Sequence, residues 1–308
     1  MALFLQRLVD GLSEGSIYAL LALGLVIIYR GTGHLNFAQG EMALFSTYAV
    51  YQFGEWGVPI GLAVLMGMAV GFVLGAGTEV VLVRPISRKS PFAVFIVTIG
   101  LFQFLNWLDG ALWGGQQLPS SAMGSKQGKF PSLFPNNPTD YFNVFGAAIK
   151  WQSFWMLVLV LVIGGGLYVM FNYTKLGLAM RAVASNSESS KLVGIRTGTV
   201  LMVSWGIAAA VGALGGVVYA GLTTNVNQSL MFSVFIYAAA AATLGGFDSP
   251  GGAVVGGLAI GVIQNLVAGY ADEWVGQQMK VGVAFLVILA VLLLRPAGLF
   301  GTSKVERV

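Results

Sequence analysis

Runs of apolar residues long enough to cross a lipid bilayer recur from one end of this chain to the other. The hydrocarbon core of a bilayer is about 30 Å thick and takes roughly 20 helical residues per crossing. Nine such stretches are read at 9–30, 35–53, 58–83, 91–113, 151–173, 200–222, 229–247, 251–270 and 279–294. In hydrocarbon every backbone N–H and C=O must be satisfied inside the protein, which leaves helices and closed barrels as spanning folds. Barrel strands would appear as short alternating runs. These runs are long and continuous, so the expected fold is all-α. It is a polytopic helical membrane bundle of eight to nine spans forming one transmembrane domain over 1–308.

Charge sets the orientation. Only 9% of residues are charged, against about a quarter in soluble domains. Lys and Arg near span ends collect on the cytoplasmic side. Placing Arg30, Arg84, Arg88, Lys89, the bases from Lys175 to Arg196, and the tail with Arg295, Lys304 and Arg307 inside accounts for eleven of the 16 bases. Connections 54–57, 114–150, 223–228 and 271–278 then lie outside, the last carrying Asp272 and Glu273. The N-terminus is expected outside, the C-terminus in the cytoplasm. The opening MALFLQRLVDG lacks a basic region and a cleavage site and reads as retained. The formal charge of +4 sits at span ends and is no nucleic-acid footprint. With no cysteine, disulfide and thiolate chemistry are excluded.

Two segments interrupt the apolar pattern. GTGHLNFAQGEMALF, 31–45, puts His34, Asn36, Gln39 and Glu41 among Gly31, Gly33 and Gly40. TLGGFDSPGGAVVGG, 243–257, carries Gly245, Gly246, Asp248, Pro250 and Gly251. Non-helical backbone at membrane depth survives only inside protein or along a cavity, and paired interruptions point to an inverted-repeat transporter with broken helices. For 243–257 a tight cytoplasmic turn is the competing reading. An ionised carboxylate in the membrane costs about 2.5–3.5 kcal/mol even on insertion scales, so each needs a partner or a cavity. Glu79, close before Arg84, is expected to form a structural ion pair. Asp109 is expected as a solvated cap or loop anchor at an outer span end. Glu14, on one face with Asp10, lines a pathway or meets a second membrane subunit. Glu41 either lines the pathway or caps the N–H groups of a broken helix, where the helix dipole favours negative charge. The glycine runs at 164–166, 215–216 and 256–257 read as packing.

Catalysis has little to work with. His34 is the one histidine and reads as a solvated loop residue, so neither a metal site nor a His-based triad can be assembled. No GxxxxGK[ST] phosphate loop occurs, and the chain is not expected to be an enzyme. The polar stretch TKLGLAMRAVASNSESSKLVGIRTGT, within a loop at 174–199, carries Lys175, Arg181, Lys191 and Arg196 against Glu188. It is helix-competent, cytoplasmic on this orientation, and placed to touch a soluble partner.

Leu35 to Glu41, LNFAQGE, closely resembles the signature of permease subunits of branched-chain amino acid ABC importers, with Gln39 where the family has histidine. RPI at 84–86, MRAVASNSESSKLVGI at 180–195, LGGFDSPGGAVVGG at 244–257 and RPAGLFG at 295–301 extend the resemblance over essentially the whole chain. The resemblance implies a bacterial plasma-membrane importer for branched-chain or related small neutral amino acids. It implies as partners a homologous second permease subunit, two ABC ATPase subunits and an extracytoplasmic solute-binding protein. This chain would hold no cofactor, since ATP is bound by the ATPases. The pathway residues are expected to be Asn36, Phe37, Gln39, Gly40, Glu41, Gly245 and Gly246. ABC permeases carry an EAA loop with a glycine three residues on; Glu188, Ser189, Ser190 and Gly194 have that spacing and, with Arg181, would couple to the ATPase. Family members also carry urea and short amides, and no residue here selects among these solutes. The competing classes are a stand-alone secondary transporter or channel using Glu41 as a proton or ion site, and an intramembrane enzyme.

Overall fold

A computed structural model describes residues 2–87, 91–114, 130–137, 139–144, 147–270 and 280–301. The expectations for Arg88, Lys89, Asp272, Glu273, Lys304, Arg307 and much of the 114–150 loop fall outside these residues. The helices are α1 (Ala2–Thr32), α2 (Gln39–Glu55), α3 (Ile60–Thr78), α4 (Arg84–Ser87) and α5 (Pro91–Trp113) in the first part of the chain. After a small antiparallel hairpin, β1 (Tyr141–Val144) and β2 (Ala147–Lys150), come α6 (Trp151–Tyr173), α7 (Lys175–Ser185) and α8 (Ser187–Leu192). The rest comprises α9 (Thr197–Thr223), α10 (Leu230–Gly245), α11 (Pro250–Tyr270) and α12 (Lys280–Leu294). Each expected span contains a helix, though not always over its full expected length. Among the described residues, six helices are long and apolar enough to cross a membrane. The others, α2, α10 and α12, have 17, 16 and 15 residues. The hairpin was not expected in an all-α chain; it lies in the long loop, with β2 packed against α1 and α6 at the end of the bundle.

Small residues hold the bundle together. Lipid tails are as apolar as leucine, so helices associate in a membrane through close packing more than through hydrophobic burial. α1 runs antiparallel to α11 along paired glycines: Gly11 meets Val262, Gly15 meets Gly257, and a Cβ at Gly257 would stand 2.5 Å from Ala19 Cα. Each helix thus presents a glycine pair four residues apart, Gly11 with Gly15 and Gly257 with Gly261. α3 repeats the device with Gly67 against α2 and with Gly71 and Gly75 against α9. The 215–216 and 256–257 runs pack as expected, with Gly216 on Thr47 and Gly256 on Ala241. In 164–166 only Gly164 does, against Val254, while Gly165 and Gly166 meet nothing because they lie on the outward face of α6.

The ends of the bundle differ in charge. Among the described side chains, Arg30, Arg84, Lys175, Arg181, Lys191, Arg196 and Arg295 gather at one end, and Arg7 and Lys150 lie at the other. At the basic end α3 passes through a π-turn at Glu79–Val83 into α4. There Arg84 pairs with buried Glu79, as expected, and also donates to the Gly198 carbonyl at 2.8 Å, which fastens α4 to the start of α9.

Two helices begin part-way across the bundle. After α1 reaches the basic end, residues 33–38 turn back inward, and α2 starts where Gln39 lies against Gly24. Eight residues separate Gly24 from Thr32, which is about 12 Å of helix. α9 lies antiparallel to α1; after Thr223, residues 224–229 turn back in the same way, and α10 starts beside Gly40. The architecture therefore holds two long helix–break–short helix units of opposite direction. The second break is at 224–229, read from the sequence as an outside connection. Residues 243–257 form the competing reading instead, a tight turn between α10 and α11.

Candidate functional site

The break before α2 is built from its own side chains. Gly33 takes φ +72°, a left-handed conformation that glycine adopts at little cost. Asn36 Oδ1 accepts from the Ala38 N–H at 3.0 Å, and Asn36 Nδ2 donates to Gln39 Oε1 at 3.3 Å. Gln39 Nε2 in turn donates to the Ala208 carbonyl of α9 at 2.9 Å. Its amide fills the slot that Gly24 and Gly212 leave open between α1 and α9. Phe37 packs edge-on to Phe95, with ring centroids 5.0 Å apart, and against Phe235 at 6.0 Å. Half-buried His34 borders a cavity of about 340 Å³ shared with Tyr29, Leu35, Phe37 and Phe95.

Glu41 is fully buried in the first turn of α2. Its Oε2 accepts from Asn106 Nδ2 of α5 at 3.3 Å, and its Oε1 has no hydrogen-bond partner among the described residues. It caps no backbone N–H: the turn is held by Asn36. Asn106 also donates to the Gln228 carbonyl at 3.1 Å, while Gln228 Nε2 returns a bond to the Asn106 carbonyl at 2.8 Å. The 224–229 break and the first turn of α2 are thus joined through one asparagine. One turn along α5 lies Asp109, fully buried, with neither carboxylate oxygen hydrogen-bonded among the described residues. The expected solvated cap is excluded by that burial, since α2 and the 224–229 segment cover this face of α5. The Tyr48 hydroxyl, also unpartnered, lies within electrostatic range of both carboxylates, and its ring stacks on Trp113 at 5.0 Å. Asn106, Tyr48 and Gln228 were missed from the sequence, and Asp109 was singled out there but not placed beside Glu41. An ionisable residue within a span, as Asp109 is, was the signal available.

Gly245 and Gly246 do not join this cluster. They sit at the far end of α10, some fourteen residues or about 21 Å of helix from Met231, which touches Gly40. Gly245 lies directly on Gly252, and Gly246, at φ +102°, lies on Gly298 and Gly301. The backbone N–H groups of Leu299 and Phe300 donate to the carbonyls of Leu244 and Gly245 at 2.8 and 3.1 Å. The glycines permit a three-way backbone junction, which is a packing role. Glu14 is engaged within the chain: its Oε2 accepts from Asn265 of α11 at 3.1 Å and from the Tyr18 hydroxyl at 3.2 Å.

The 174–199 loop is a pair of short helices at the basic end. Thr174 caps α7 by accepting from the Gly177 N–H at 3.1 Å, and Asn186 breaks the chain and caps α8 through the Ser189 N–H at 2.9 Å. α8 ends in a Schellman motif. The Gly194 N–H bonds to the Lys191 carbonyl and the Ile195 N–H to the Ser190 carbonyl, both at 3.0 Å, with Gly194 at φ +84°. Arg181, Glu188 and Ser189 are exposed, and Glu188 pairs with Lys191. Ser190 is buried and bonds to the Asn186 carbonyl at 2.8 Å, so it holds the loop's shape. Leu192 and Val193 are 89% and 76% exposed. This apolar tip, held rigid by the turn that follows it, went unremarked in the sequence as a contact surface.

The family described as "Branched-chain amino acid transport system / permease component" matches residues 7–292. The high-affinity branched-chain amino acid transport system permease protein BraD of Pseudomonas aeruginosa is 30% identical, over 99% of this chain and 98% of its own. The corresponding protein LivH of Escherichia coli is 29% identical over 99% and 98%. The galactose/methyl galactoside import permease protein MglC of Escherichia coli is 24% identical, over 89% of this chain and 81% of its own.

Proposed function

The chain belongs to the family of branched-chain amino acid transport permease components, and from that premise we propose that it is the membrane-spanning subunit of an ATP-driven importer. It carries branched-chain or related small neutral amino acids across the plasma membrane. The observation that carries the mechanism is the α7–α8 pair, which presents exposed Leu192 and Val193 at the basic end of the bundle. That end faces the cytoplasm, because basic residues concentrate there; the N-terminus is outside and the C-terminus inside. One ATPase subunit receives this α8 tip, a second ATPase subunit receives the corresponding tip of a homologous permease subunit, and a solute-binding protein delivers solute from outside. ATP is bound by the ATPases.

Pathway residues lie where the breaks meet. Asn36, Gln39 and Glu41 supply polar groups inside an otherwise apolar bundle, with Phe37 and Gly40 packing the same turn. Two discontinuous helices that start part-way across a bundle are the usual setting of a transport site. Movement of α7 and α8 against α9 is relayed along α9 to Gln39 through its bond to Ala208. The test is uptake of labelled leucine by vesicles holding this chain with its second permease and ATPases. Uptake that requires both internal ATP and external solute-binding protein is expected; uptake without either makes the chain a stand-alone carrier.

A further inference from the structure

We propose that Glu41, Asp109 and Tyr48 bind one sodium ion between α2 and α5. The ion is resident in the bundle and drives no transport, so the proposal stands apart from the importer reading. The Glu41 and Asp109 carboxylates are fully buried and act on one another. Among the described residues no Lys or Arg acts on either: Glu41 has the Asn106 amide, and Asp109 has no hydrogen bond. Two like charges withdrawn from water are costly until a group of opposite sign reaches them. The third group is the Tyr48 hydroxyl, also fully buried and without a hydrogen-bond partner among the described residues.

The helices bring these groups to one place. α2 and α5 run parallel, with Glu41 beside Asn106 and, further along both, Tyr48 beside Trp113. Glu41 and Tyr48 are seven residues apart on α2, which puts them on one face two turns apart. Asp109 stands between those two levels on α5, three residues after Asn106 and four before Trp113. A helical side chain leans toward its own N-terminus, so the Tyr48 hydroxyl is carried back toward Asp109 and lies in electrostatic range of both carboxylates. Four oxygens there lack a hydrogen bond among the described residues: Glu41 Oε1, both of Asp109 and the Tyr48 hydroxyl. A water donates to two of them and leaves both charges, whereas a cation answers the charge and the oxygens together. Calcium takes about 6–8 oxygens and magnesium keeps several waters, more than this sealed set provides. Sodium needs neither, and discontinuous helices are where membrane bundles hold it. The remaining negative charge is eased by the Asn106 amide and by the place of Glu41 in the first turn of α2.

The test uses the purified complex of this chain with its partner subunits, in choline chloride without leucine or ATP. Radioactive sodium is added at constant ionic strength, bound sodium is counted, and thermal unfolding is followed in parallel. Saturable binding is expected, with unfolding moved to higher temperature over the same sodium range. Asp109→Asn should remove one sodium per copy of this chain. Tyr48→Phe keeps the ring stacked on Trp113 and should weaken that binding several-fold. Absence of saturable binding overturns the proposal, and so does binding that both variants leave unchanged, which would place the ion elsewhere in the complex. Stability that follows pH and ignores sodium would mean that the two carboxylates share a proton, and also overturns it. A response to calcium or magnesium with none to sodium overturns it as well.

Discussion

Asn106 and Gln228 exchange two hydrogen bonds, the side-chain amide of each donating to the backbone carbonyl of the other at 3.1 and 2.8 Å. The pair fixes the 224–229 break to α5, and the same Asn106 amide reaches Glu41. Side-chain hydrogen bonds inside membrane bundles couple by about 0.6 kcal/mol on average and up to about 1.7. Because each acceptor is a backbone carbonyl that an alanine keeps, Asn106→Ala and Gln228→Ala each remove bonds independently, and each should lower stability against unfolding in detergent by an amount in that range. Unchanged stability in both variants would show that the pair does not hold the break to α5.

Glu41→Gln keeps the shape of the side chain and removes its charge. With Asn106 as the one partner of the carboxylate among the described residues, the complex should still assemble, while leucine uptake falls by about tenfold, equivalent to ~1.4 kcal/mol. Loss of assembly would make Glu41 a structural element. Full uptake would remove it from the pathway.

The glycine contacts predict a contrast between two positions. Gly257→Val forces a branched side chain into the backbone of Ala19, where overpacking costs about 1–3 kcal/mol or more. Gly165→Ala points into open space and should change stability by less than about 0.5 kcal/mol. Equal yields of folded, monodisperse protein from both variants would contradict the α1–α11 packing.

How these features read in the sequence follows from what each residue type can signal. The spans were legible because long apolar runs have one structural solution in lipid. The first break was legible because Gly31, Gly33 and Gly40 surround polar residues that would otherwise enter the membrane. The second break, TNVNQS at 224–229, contains no glycine or proline, and its polar residues look like those of any short connection between spans. Gly245 and Gly246 misled for the converse reason: glycine breaks a helix, and it equally allows three backbones to touch. Asp109 looked solvated because its place near a span end says nothing of the helix and loop that cover it.

Orientation is open to direct labelling. Asn137→Cys lies in the loop between α5 and the hairpin, and Ser185→Cys at the end of α7; both positions are exposed. In intact cells an impermeant thiol reagent should modify the first and spare the second until the membrane is permeabilised. Modification of position 185 from outside would invert the bundle.

The central claim is that α7 and α8 couple this bundle to an ATPase. Gly194→Val puts a β-branched residue at φ +84°, a left-handed conformation that costs roughly 1–2 kcal/mol for an L residue. Leu192→Asp places a charge on the apolar tip. Neither change lies in a membrane-spanning helix, so both proteins should insert and pair with the second permease subunit. The decisive measurement is ATP hydrolysis by the reconstituted complex with and without leucine-loaded solute-binding protein, alongside the amount of ATPase subunit co-purified. Both variants should lose most of the co-purified ATPase and most of the stimulation. If both keep full ATPase content and full stimulation, the loop is an ordinary solvated connection and the coupling assignment is wrong.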